Sequence, residues 1–327
     1  MRGGATLDLN LKKGGNILIK YILKRLFASI ITIWIVITLT FFLMRLMPGG
    51  PFDGEKKVPP QIKANLEAKF GMDKPLGTQY VIYMKNLLKG DLGPSMKYEG
   101  RTVRWVIGYS FPTSAKLGIV VVIVALALGV YMGVISALNQ GKWPDYLCMI
   151  LATLGVTVPS FVMATLLILV FSVKLGLLPV IGFGSAKNYI MPVIALGGYS
   201  IAFIARLTRS RLIEVVQQDY VRTAKAKGLS RNTVIYKHAL RNSLIPIVTY
   251  LGPLVAGILT GSFVVERIFG IPGLGGEFVN SINNRDYTTL LGVTVFYSVL
   301  LVVCNFIVDI LYVIIDPRIK LDNLKTE

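Results

Sequence analysis

The chain has 327 residues, 54% hydrophobic and 16% charged, with a mean hydropathy of +0.63; soluble domains carry about 25% charged residues. Its apolar residues gather in runs of about 20, enough to cross a bilayer, which excludes a soluble globular protein. The formal charge of +18 does not point to nucleic acid, because the basic residues cluster at the ends of apolar runs, where membrane orientation and anionic lipid headgroups account for them.

Residues 1–25 form a polar N-terminal tail, and Lys12, Lys13, Lys20, Lys24 and Arg25 place it in the cytoplasm. The first span is expected over 26–47; its apolar run is too long for a cleaved signal and lacks a small-residue cleavage site. Arg45 lies close enough to the far end to snorkel, and PGGP at 48–51 breaks the helix. Residues 48–112 are predicted to lie outside. They carry ten Lys or Arg against six Asp or Glu, a length over which the positive-inside rule weakens. Helical spacing predicts short amphipathic helices over 62–70 and 80–88, and a separate interfacial helix over 103–107 with Trp105.

A five-helix core is expected over 113–315. The second span covers about 113–138 and returns through NQGKWPDY on the cytoplasmic side. The third, about 147–173, contains Pro159, read as a packing kink or a gating hinge. The fourth covers about 189–205, the fifth about 244–264 and the last about 289–315, with a charged tail over 316–327. Between the fifth and last, IFGIPGLGGEF within the outer loop 265–288 requires a fixed turn. The fold class is therefore an all-α polytopic membrane protein with six transmembrane helices and both termini cytoplasmic.

The cytoplasmic loop 206–243 carries the strongest orientation signal: nine Lys or Arg against Glu214 and Asp219. Within it, DYVRTAKAKGLSRNTVIYKHALRNSLIP reads as two short helices. Asp219 is expected to N-cap the first, which runs to Lys227, and Gly228 to supply the left-handed residue that ends it. Ser230 then caps a second through about Arg241. The small residues Thr223, Ala224 and Ala226 leave room for another surface to approach, so the segment reads as a docking element.

No P-loop is present, so the chain has no means of cradling ATP phosphates and is no enzyme by its motifs. Cys148 and Cys304 lie in apolar runs, and the single histidine, His238, has no metal-ligand spacing around it. Asp309, with Asn305 and Tyr312 on its helical face, is either an inter-helix hydrogen-bonding residue or the carboxylate of a proton-coupled secondary transporter.

The stretch around Arg222–Gly228 resembles the EAA loop of ABC-importer permeases: Thr223 and Ala224 fill the two small positions that precede the glycine, Gly228. Arg222 stands where many such families have glutamate. FFLMRLMPGGP, DLGPS, IARLTRSRLIEV, GSFVVERIFGIPGLG, NRDY and DPRIK extend the resemblance to the tail and identify the peptide/nickel family, its oligopeptide branch above all. The resemblance implies a type I importer permease in a bacterial inner or plasma membrane, paired with a homologous second permease. Two cytoplasmic ATPases that hold ATP and Mg would dock on it, and an extracytoplasmic peptide-binding protein would deliver cargo. No cofactor is implied on this chain. The ATPase-coupling residues it implies are Asp219, Tyr220, Arg222, Thr223, Ala224, Lys225, Ala226, Lys227, Gly228, Leu229 and Ser230. Dipeptides, nickel and glutathione stay open as cargo within the family.

Overall fold

The computed structural model describes residues 3–46, 49–52, 59–259 and 263–315, and the side chains within these ranges from residue 22 to 308. The described residues are helical throughout, apart from turns and one isolated bridge between Pro94 and Thr102. Helix α1 (Gly3–Leu46) includes the first span, Ile22–Leu46. Outside it, α2 (Pro60–Lys69) and α3 (Leu76–Leu88) fall on the two short helices expected from periodicity.

Helix α4 (Val103–Leu138) departs from the sequence reading. The interfacial helix at 103–107 and the span from 113 are one rod, so the boundary expected between 112 and 113 falls inside a helix. Thr102 starts it by accepting the Trp105 amide at 3.2 Å, and Pro112 sits inside without ending it. Proline already has a helical φ, and within a bundle its freed carbonyl finds other partners. At 36 residues the rod is about 54 Å long, well beyond a hydrocarbon core of about 30 Å.

The expected third span is two rods. Helix α5 (Trp143–Thr157) and the unit α6 (Ser160–Leu167), continued by a π-helical stretch over Ile168–Lys174, are bent by 111°. Pro159 forces the residue before it out of the helical region, and Val158 is extended at φ −83°, ψ 120°. Helix α7 (Lys187–Val216) is longer than the expected 189–205 and lifts Arg206, Arg209, Arg211 and Glu214 out of the loop onto a rigid rod.

Next come α8 (Asp219–Ala226), a π-helical stretch over Thr233–Leu240, α9 (Arg241–Ser243) and α10 (Ile245–Leu259), the last bent by 48° from the stretch before it. On the outer side lie α11 (Phe263–Ile268) and α12 (Leu274–Asn283), and α13 (Tyr287–Ile315) is the last span. Four helices are continuous candidate spans; counting each bent pair as one crossing gives six. Asp309 lies on the α13 backbone, but its side chain is outside the described residues, as is the tail 316–327.

The core is α4 against α7, with α5 packed against both. Small residues set its spacing. A Cβ on Gly129 would lie 2.7 Å from Ile204 Cβ, and one on Gly133 2.6 Å from the Ala205 carbonyl oxygen. On α5, a Cβ on Gly155 would lie 2.6 Å from the Gly198 oxygen. In a membrane, where lipid tails are as apolar as side chains, this close backbone approach is a main source of helix association.

Candidate functional site

The docking element is built on α8. Its last turn ends with Lys227 NH donating to Thr223 O at 3.0 Å, Gly228 NH to Lys225 O at 3.0 Å and Leu229 NH to Ala224 O at 3.4 Å. The six-to-one bond from Leu229 is the mark of a Schellman termination, which needs a left-handed residue after the cap. Gly228 supplies it at φ +76°. The second helical stretch begins as the spacing predicts, with Ser230 Oγ accepting the Thr233 amide at 3.3 Å.

Two details of the sequence reading are corrected. Asp219 is the first helical residue and not the N-cap: Gln218 occupies that position, with no side-chain cap bond. The Asp219 carboxylate is exposed and sits 3.9 Å from Arg222 Nη1. Ala224, expected to leave room for an incoming surface, points inward and packs with Val221 and Val234 under Val215. The helix needs that contact, because its own length of 8 residues is too short to be stable without tertiary packing.

The remaining candidates, Asp219, Tyr220, Arg222, Thr223, Lys225, Ala226, Lys227, Gly228, Leu229 and Ser230, are all exposed. Thr223 turns its hydroxyl back to Asp219 O at 2.9 Å, and Tyr220 Oη accepts Asn242 Nδ2 at 2.9 Å, which ties the two helical stretches together. Beside this tie lies a basic cleft of about 430 Å3, lined by Tyr220, Lys237, His238, Arg241, Asn242 and Ile245. On the other flank Lys225, Leu229 and Arg231 face Leu138, Gln140 and Leu212 across a cavity of about 460 Å3. The arrangement is a small, basic, rigid projection seated on the ends of α4 and α7.

A half-buried clamp, missed in the sequence, anchors the base of this projection. Arg209 on α7 forks onto Asp145 on α5, Nε to Oδ1 at 2.7 Å and Nη2 to Oδ2 at 2.8 Å. Ser136 at the end of α4 donates to the same carboxylate, as does the Gly141 amide at 2.9 Å. A two-pronged guanidinium–carboxylate contact fixes orientation as well as distance. The only sequence signal was that Asp145 is the one acid in NQGKWPDY.

Two further buried carboxylates organise the outer side. Asp286 accepts the Met96 amide at 3.0 Å, Thr289 N at 3.2 Å and Thr289 Oγ1 at 2.8 Å, and the Ser95 hydroxyl also donates to it. It thereby caps α13 and fastens DLGPS to NRDY. Glu266 on α11, 1% exposed, accepts Ser114 Oγ of α4 at 2.7 Å and Gly276 NH at 3.3 Å. Ser114 Oγ in turn accepts the Leu274 amide at 2.9 Å. A Cβ on Gly273 would lie 2.4 Å from Glu266 Oε2, so the turn over 269–273 closes around this carboxyl and the rest of GLGG opens α12. Burial pushes the Glu266 pKa up; the Ser114 hydroxyl and the amides of Gly276 and Gly275 oppose it.

Comparison with known proteins places this architecture. Residues 106–321 match the model of the binding-protein-dependent transport system inner membrane component, and residues 18–132 match its N-terminal companion. The oligopeptide transport system permease protein OppB of Haemophilus influenzae is 49% identical over 305 residues, 93% of this chain and 100% of that one. The dipeptide transport system permease protein DppB of Bacillus subtilis is 48% identical over 302 residues, 92% and 98% of the two chains. Two solved structures share the fold at 17% identity and TM-score 0.51. One is an amino acid ABC transporter, covering 63% of this chain and 92% of that one. The other is the MetNI methionine ABC transporter, covering 65% and 95%. Such permeases are multi-pass inner-membrane subunits that bind no cofactor, hydrolyse no ATP themselves and work with partner ATPases, a second permease and a binding protein. The chain belongs to the binding-protein-dependent transport system inner membrane component family, the permease subunits of bacterial ABC importers.

Proposed function

We propose that this chain is one half of the translocation path of an ATP-driven oligopeptide importer, and that Asp219–Ser230 is where a cytoplasmic ATPase drives it. The observation that carries the coupling role is the α8 projection: a helix closed by Gly228 and held by Val221 and Ala224, with its other candidate residues exposed. A rigid element of this kind transmits a rigid-body displacement of a bound partner without absorbing it. The clamp at Asp145 and Arg209 passes that displacement to α4, α5 and α7 together.

The cargo reading is supported by relatives named for oligopeptide transport in Haemophilus influenzae and Escherichia coli, at 49% and 47% identity. A relative named for dipeptide transport, at 48%, supports dipeptides as the second reading. The outer segments 48–112 and 265–288 receive the peptide-loaded binding protein, and selection among peptides rests with that protein.

The test is uptake of labelled peptides of graded length into proteoliposomes that hold the complete complex, with ATP on the ATPase side. Uptake that requires ATP and the binding protein and survives a proton ionophore is expected. Preference for dipeptides transfers the reading to the second cargo. Uptake driven by a proton gradient without the ATPases overturns the mechanism and returns attention to Asp309.

A further inference from the structure

The outer end of α1 and the α2–α3 pair enclose a cavity of about 380 Å3 that the transport reading leaves without a role. Three cations line it, Arg45, Lys69 and Lys74, against one carboxylate, Asp91. That carboxylate already accepts the Gly93 amide at 2.9 Å. Arg45 lies over the Phe41 ring at 3.8 Å, and its Nε donates to Gln79 Oε1 at 2.9 Å. Its Nη1 is buried with no hydrogen-bond partner among the described residues, and so is the hydroxyl of Tyr83, which lines the same cavity. Buried polar atoms without partners are rare and costly, most of all on a cation. An oxyanion supplies what both groups lack: oxygens for the guanidinium fork and an acceptor for the phenol.

The position of the cavity decides which oxyanion. Arg45 stands in the last turn of the first span, at the depth of the headgroups. Ile22–Leu46 is the least buried of the four continuous spans, at 11%. Ile82, which lines the cavity, is exposed on α3. A cationic pocket with unmet donors at this depth is the complement of an anionic headgroup. We infer that the pocket holds the phosphate of an anionic phospholipid of the outer leaflet. The bound lipid fastens the α2–α3 pair to α1.

Native mass spectrometry of the complex purified with its partner subunits tests this, after incubation with phosphatidylglycerol or phosphatidylcholine. Phosphatidylglycerol is expected to be retained over phosphatidylcholine. Arg45→Gln should reduce that retention about tenfold, the loss of one charge-assisted hydrogen bond. Lys69 and Lys74 are exposed, so the double variant Lys69→Gln/Lys74→Gln keeps the fold and should weaken retention by screening the pocket less favourably. Lys89→Gln, on the same side but outside the cavity, should leave it unchanged. Equal retention of the two lipids, or retention of phosphatidylglycerol unaffected by both pocket variants, overturns the assignment. Weaker capture of the binding protein with lipid retention unchanged overturns it too, and gives the pocket to a protein carboxylate.

Discussion

At the residue scale, three side-chain environments carry separable consequences. Gly228 has open space around the position of a Cβ, so a substitution there meets backbone strain alone. An L side chain in the left-handed region costs roughly 1–2 kcal/mol, and a β-branched one more. Gly228→Val should therefore insert and assemble but turn the chain wrongly after α8, leaving ATP hydrolysis uncoupled from uptake. Failure to insert, or normal uptake, counts against the coupling role. Arg209 and Asp145 behave differently, because the Asp145 carboxylate is buried and held by Arg209, Ser136 and the Gly141 amide. Removing Arg209 strands that carboxylate, a loss of about 3 kcal/mol, the low end for a buried pair because Arg209 itself keeps some contact with solvent. Arg209→Ala should lower the unfolding midpoint of the complex sharply, and Asp145→Ala in the same chain should add much less than its effect alone. Additive losses would mean that the pair is not a unit. Glu266 gives a pH signature. Its folded pKa is raised by burial, so its contribution to stability is complete below the ordinary glutamate range and is lost as pH rises through the folded value. The thermal midpoint of the complex should fall over that window, and Glu266→Gln should flatten the fall. A midpoint with the same pH dependence in the variant would remove Glu266 from the account.

At the element scale, the contact of α4 with α7 depends on two positions that only glycine fits. A Cβ on Gly133 would lie 2.5 Å from Thr208 Cβ and 2.6 Å from the Ala205 oxygen, and backbone cannot move aside as a flexible side chain can. Gly133→Leu should separate the helices at a cost of about 1–3 kcal/mol or more, seen as loss of folded protein on size-exclusion chromatography. Recovery of full yield would show that the rods tolerate a wider spacing. These two glycines sit in an apolar run where sequence gives no sign of what they face. The same limit explains the rest of what the sequence hid. Local signals were legible: the periodicities behind α2 and α3, the turn within IFGIPGLGGEF, which falls at 269–273 with GLGG opening α12, the left-handed Gly228 and the Ser230 cap. What depended on distant partners was not. The boundary expected between 112 and 113 disappears once α4 is seen to run through Pro112. Ala224 reads as a free surface until Val215 and Val234 cover it. Asp286 meets Met96 across 190 positions and Glu266 meets Ser114 across 152, and no periodicity connects such pairs. Asp219 was misplaced by one residue because an acid suits the first helical turn as well as the N-cap, and the helix starts with Asp219 after an uncapped Gln218.

At the scale of the whole molecule, charge and shape converge on the cytoplasmic face. Lys225 and Lys227 are exposed on the turn that closes α8, with Arg222 and Arg231 exposed on either side. Of the acids near them, Asp219 is held near Arg222 and Glu214 pairs with Arg211 at 3.0 Å. The projection therefore presents net positive potential to a partner that approaches from the cytoplasm. Such a field speeds docking and loses strength beyond about 8 Å at physiological salt. If it guides the ATPase, association with the purified permease pair should weaken as salt rises from about 0.05 to 0.5 M, a range over which the screening length falls severalfold. Lys225→Glu/Lys227→Glu should weaken association at low salt and remove most of that dependence, while the membrane core, far from these exposed side chains, keeps its thermal midpoint. Surface plasmon resonance with the ATPase as analyte separates the rate constants. The expected effect falls on the association rate, because steering acts before contact. A change confined to the dissociation rate would place the two lysines within the docked contact itself. An unchanged association at every salt concentration would mean that shape alone, the short helix and its fixed turn, selects the partner.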